Sequence, residues 1–121
     1  MIPQLTENPG KTITITAREV LQPYRFVGFS GHVCGAGEKS LGVAASYSSP
    51  FNENTDAAVV TDGIVIVEVS EEVSPTDVAK GIAITSDING RGIKAKVGDA
   101  VNGYAISPSS GPGDHIRVKL I

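Results

Sequence analysis

The chain has 121 residues, 13 acidic and 10 basic side chains for a formal charge of −3, and six aromatic residues with no Trp among them. That length fits a single domain and argues against two full enzyme domains. The charge offers no basic field for a nucleic-acid backbone, and the few aromatics offer little for stacking bases, so no nucleic-acid partner is expected.

The apolar residues are 14 Val and 12 Ile against 4 Leu. β-branched side chains lose rotamer freedom in a helix and pack well on a pleated surface, so the fold class is mostly β. Residues 1–11 carry Pro3, Pro9 and Gly10 around Ile2 and Leu5, and read as an extended N-terminal arm ahead of a single β domain over 12–121. KTITIT (11–16) alternates, with Ile13 and Ile15 on one face and three threonines on the other, which predicts a half-buried strand. Further strands are expected at 24–29, 41–46, 57–61 and 64–69. The last two are separated by Asp62-Gly63, which predicts a hairpin. EEVSPTDVAK (71–80) has the capping residues for one or two short helical turns. IAIT (82–85) then reverses through Asn89-Gly90 toward 93–97, and HIRVKL (115–120) closes the chain with Ile116, Val118 and Leu120 pointing inward. Short strands separated by turn signals make a compact β-barrel, a sandwich or a more open β-tulip-like form.

Residues 31–49 laid over 92–110 match at seven of 19 positions, including Gly37/Gly98, Gly42/Gly103 and Ala44/Ala105. The pattern describes two related β units, about 19–61 and 72–121.

Several segments look like chemistry and fail on inspection. GHVCGAGEKS (31–40) superficially has the form of a phosphate-binding loop. Glu38, however, puts a carboxylate where the anion would sit, and LGVAAS after it reads as a strand and not a helix. His32, Cys34 and His115 lack the companions a zinc site needs, so neither metal nor cofactor is expected. The single Cys34 cannot form an internal disulfide and fits a reducing compartment. No neighbouring base or oxyanion hole is evident for Cys34 or for the serines of SYSS and SPSS, so the chain does not read as an enzyme. The start has no signal-peptide pattern and the longest apolar run, 64–67, is strand-sized, so no membrane is expected. Arg91, Lys94 and Lys96 could share a basic face with Arg117 and Lys119 if their strands were neighbours, a face suited to docking on an acidic partner.

RFVGFSGHV, GEKSLGVA, TDGIVIVEV, VAKGIAITSDINGRGIKA, VNGYAIS and GDHIRVKLI, in this order over about 12–121, give the chain a resemblance to the tailed-bacteriophage capsid cement, or head decoration, proteins. The resemblance implies a structural protein of the virion that is made in the host cytoplasm and bound to the outside of the bacteriophage head. There it would stabilise the capsid by clamping neighbouring subunits of the major capsid protein, as a homo-oligomer with a trimer favoured. On that reading the contact candidates are Ile2, Pro3 and Leu5 of the arm, Phe51 and Asn52 of the 48–56 loop, and Arg91, Lys94 and Lys96. The alternative reading is a receptor- or carbohydrate-binding β module on a virion or cell surface.

Overall fold

The computed structural model describes residues 7–51, 55–71 and 78–121. Among them the chain forms ten strands: β1 Asn8–Pro9, β2 Thr12–Thr16, β3 Phe26–Val27, β4 Gly42–Ala44, β5 Asp56–Val60, β6 Gly63–Glu68, β7 Ala83–Ser86, β8 Gly92–Lys94, β9 Gly103–Ala105 and β10 His115–Leu120. They make two antiparallel sheets, one ordered β1-β6-β10-β9-β7-β8 and the other β2-β5-β4-β3. The arrangement is an all-β sandwich and not a closed barrel. The expected helical turns at 71–80 fall mostly on 72–77, outside the described residues.

The β-branched excess goes into the layer between the sheets. Val65, Val67, Ile84, Ile116, Val118 and Leu120 of the larger sheet meet Phe26, Val43 and Val60 of the smaller one. The alternation expected for β10 holds, since Ile116, Val118 and Leu120 are all buried. A second cluster, with Leu21, Val27, Ala44, Ala57 and Val59, lies apart from the first, so β4 is buried along its whole length.

Two sequence expectations need correction. Asp62-Gly63 does not close a hairpin: β5 pairs with β2 and β4, while β6 pairs with β1 and β10. The dipeptide is a corner at which the chain passes from one sheet to the other. β1 and β2 turn the same corner beside it, held by Gly10 N–H to Asp62 C=O at 3.0 Å and by the Lys11 N–H on the Asp62 carboxylate. Gly63 sits at φ +88°, and a Cβ there would come within 2.4 Å of the Gly10 nitrogen, so only glycine fits. Second, on the edge strand β2 the alternating face is covered at one end only: Ile15 packs against the second cluster and Ile13 is exposed.

The two sheets repeat one order. With the edge strand β8 set aside, β2-β5-β4-β3 and β6-β10-β9-β7 each place the first strand of a run beside the last, with the middle two following. The registers correspond as well: Ala44, Val59 and Ile13 lie across one ladder as Ala105, Val118 and Val65 lie across the other.

Candidate functional site

The β7–β8 hairpin, expected from Asn89-Gly90, forms with Ser86 opposite Gly92. Its loop is longer than a two-residue turn and is organised by Asp87, whose Oδ1 accepts the N–H groups of Asn89 and Arg91, each at 2.8 Å. The Phe26 N–H donates to Gly90 C=O at 2.6 Å and the Gly37 N–H to Ser86 C=O at 2.9 Å. Both bonds tie the hairpin to the segment that carries β3 and the 35–38 turn.

Arg91 leaves the end of this hairpin and points its Nε at Glu68 Oε2, 2.5 Å away, with Glu71 at 3.7 Å and Arg25 on the other side of Glu68 at 3.5 Å. Burial works against the Arg91 charge, but the Glu68 hydrogen bond and charge outweigh it, with Glu71 and Asp87 adding, and its pKa is raised. Arg91, Lys94 and Lys96 then line one cleft of about 470 Å³, together with Thr85, Asp87 and Asp99. Asp99 closes the 96–99 turn by accepting from the Lys96 N–H at 2.9 Å. Thr85 is almost fully buried, and its hydroxyl has no hydrogen-bond partner among the described residues. The expected basic face does not extend to Arg117 and Lys119, because β9 and β7 stand between β10 and β8.

A second surface is built from loops around residues 17–21. The Ala17 N–H donates to Thr55 C=O at 2.8 Å, the Arg18 N–H to Gly31 C=O at 2.9 Å, and Leu21 and Ser48 exchange both main-chain bonds. The loops tied down in this way carry Phe51, Phe29 and Tyr47, all exposed. Phe51 therefore lies apart from the cleft residues. Ile2, Pro3, Leu5 and Asn52 lie outside the described residues.

The chemical decoys resolve as structure. Gly35–Glu38 is a turn that leads to β4, closed by the Glu38 N–H on Gly35 C=O at 3.2 Å. Cys34 is buried, with its thiol on Glu38 C=O at 3.4 Å. Burial pushes the Cys34 pKa up, and Glu38 adds to this against the opposing effects of Ser86 and Lys39. No group of three or more His, Cys, Asp or Glu among the described residues is placed to hold a metal ion. The roles of Thr85, Asp87 and Asp99 were missed from sequence. Only Asp87, two residues before Asn89-Gly90, carried a local signal, that of an Asx cap.

Residues 7–120 match the family described as phage cement protein, and the chain belongs to that family. No curated protein matches it in sequence. Among solved structures it is similar to the N base of head fiber gp8.5 in bacteriophage phi29, with a TM-score of 0.68 and 16% identity over 92% of this chain and 95% of that one. At that identity the likeness establishes the shared fold. Family membership makes the chain a structural protein associated with the phage capsid.

Proposed function

We propose that this protein decorates the outer surface of the assembled phage head and stabilises it by clamping neighbouring major capsid subunits. The observation that carries this reading is the placement of the aromatics. Tyr24, Phe29, Tyr47, Phe51 and Tyr104 are between 37% and 84% exposed, and Phe26 alone is in the core. Aromatic side chains are the commonest anchors of protein interfaces, and a chain with so few of them that leaves five outside has surface to cover. Phe29, Tyr47 and Phe51 ride on loops fixed by main-chain bonds, so little ordering cost remains to be met on docking.

Ile2, Pro3, Leu5 and Asn52 join these as contacts to coat subunits or to neighbouring protomers, and three copies around a local three-fold axis supply the avidity. Weak patches presented together gain effective concentration, and a ligand of the assembled shell stabilises it by mass action. The protein is made in the host cytoplasm and remains on the virion exterior.

The test is binding of the purified protein to matching expanded capsids, with the heat and chelator resistance of the heads measured with and without it. Saturable binding and greater resistance are expected. Heads that bind no protein, or gain no resistance, would overturn the reading.

A further inference from the structure

We infer that the open edge of β2 receives residues 1–6 of a neighbouring copy, added antiparallel as one more strand with Leu5 laid against Ile13. This rests on the reading that several copies act together on the phage head, and it names the surface through which the arm of one copy joins the next.

Among the described strands four lie at sheet edges, and three of those are closed or guarded. β3 is paired on its outer side by residues 32–34, through the Cys34 N–H on Phe26 C=O at 3.1 Å and the Gly28 N–H on His32 C=O at 2.8 Å. β8 takes the Ser70 N–H on Gly92 C=O at 2.9 Å and carries the charge of Lys94 beyond it. β1 turns Pro9 outward, which has no N–H to offer. β2 differs. The Thr61 N–H donates to Lys11 C=O and the Ala17 N–H to Thr55 C=O, so the odd-numbered residues bond toward β5, and the N–H and C=O groups of Thr12 and Thr14 point away from the sheet. No described residue pairs with them. Such an edge is a template for a further strand. On β6, the counterpart of β2 in the other sheet, β1 covers that edge.

Pro3 selects how residues 1–6 fit this edge. A proline is tolerated in an added strand only where its missing N–H faces away from the ladder. With Pro3 so placed, Gln4 and Thr6 meet the main-chain groups of Thr14 and Thr12, and Leu5 falls opposite Ile13. Ile13 is 37% exposed while Ile15 packs on the second cluster, so Leu5 extends that cluster by one pair. At the far end the Arg18 N–H donates to Gly31 C=O, and a Cβ on Gly31 would come 2.4 Å from Thr16 C=O. That loop stops the open stretch at Thr14, and six residues suffice to span it. The arm comes from another copy because β1 runs antiparallel to β6, with Pro9 opposite Gly63 and Asn8 opposite Ile64. Its upstream end therefore points away from β2, toward the small pocket that Glu7 shares with Val65 and Ile66. Pairing of two β2 edges fits less well, since each opens at Thr12 and Thr14 alone.

The experiment measures the solution mass of the full-length protein by analytical ultracentrifugation, beside its binding to expanded capsids, with two variants. The wild type is expected to be an oligomer. Oxidised Leu5→Cys/Ile13→Cys is expected to form disulfides between chains, seen as covalent oligomers on a non-reducing gel, because facing residues on adjacent strands bring their Cβ atoms within bonding reach. Cys34 is buried and takes no part. Thr14→Pro removes an N–H that faces away from β5, so the β circular dichroism spectrum is expected to persist while the dissociation constant of the oligomer rises about tenfold. A wild-type monomer, or a disulfide that closes within one chain, overturns the exchange, and so does a folded Thr14→Pro protein that associates as the wild type does. If Thr14→Pro does not fold, the disulfide alone decides. A monomer whose capsid binding is lost in Thr14→Pro overturns it in favour of a coat-protein strand on the same edge. Wild-type protein that binds no capsids overturns the capsid reading alone, since neither the mass nor the cross-link depends on capsids.

Discussion

Arg91 and Glu68, 23 residues apart, meet at 2.5 Å with less than a fifth of either side chain exposed, and Arg25 approaches the same carboxylate oxygen at 3.5 Å. The pair lies beside the parallel bridge between Val69 and Gly92, where the end of β6 meets the start of β8. It also fixes one wall of the cleft that holds Lys94 and Lys96.

Arg91→Ala should therefore destabilise the fold by about 1–3 kcal/mol, because it strips a charged hydrogen bond from a mostly buried carboxylate. Arg91→Lys should recover only part of the loss, since an ammonium cannot reproduce the guanidinium geometry. Urea unfolding of the three proteins checks this. Equal midpoints for all of them would contradict it.

Asp114 gives a dependence on acid. Burial alone would raise its pKa, but the N–H and hydroxyl of Ser110, both on Oδ2, together with the His115 N–H and charge, lower it below the ordinary value. The unfolded chain ionises near 3.9, so the contribution is complete above about pH 4 and is lost as pH falls through the lower folded pKa. Asp114→Asn should melt below wild type at pH 6, and the two curves should converge toward pH 2. Melting temperature against pH is the measurement.

Gly42 and Gly103 occupy corresponding places in the two ladders. A Cβ on Gly42 would meet Val60 C=O at 2.1 Å, and one on Gly103 would meet Lys119 C=O at 2.6 Å. Each Gly→Ala change should cost about 1–3 kcal/mol through forced backbone shifts. The Gly42 variant should be the worse of the two, as read by thermal unfolding.

Cys34 should be silent toward a maleimide in the folded protein and react once the chain is unfolded in denaturant. Its sulfur is buried and its pKa raised, both of which deplete the accessible thiolate. Rapid stoichiometric labelling in native buffer, followed by mass spectrometry, would contradict the structure.

Much of the strand content was legible because it is written in local alternation. Val65, Val67, Ile116, Val118 and Leu120 fall inward at every second residue, and the strand from 115 to 120 has the bounds the pattern predicts. Partnership was not legible. A glycine after Asp62 reads the same whether the chain doubles back in one sheet or steps to another, and only the pairing of β1 and β2 alongside makes it a corner. The expected half-burial of Ile13 failed for a related reason, since burial of an alternating face requires something to lie on it. The candidate residues divided in the same way. Arg91, Lys94 and Lys96 lie within six positions and their convergence could be anticipated, whereas Thr85 enters the cleft from the paired strand and Phe51 belongs to another surface.

The sequence by itself determined that this chain is β, that its core is Val and Ile, and which family motifs it carries, because composition and period-two patterning act within a few residues. The tertiary structure decided which sheet each strand joins, which lysines line the cleft, and that five of the six aromatics face outward. Those outcomes depend on contacts between residues far apart in the chain, where the balance of burial and pairing is settled only when both sheets are in place.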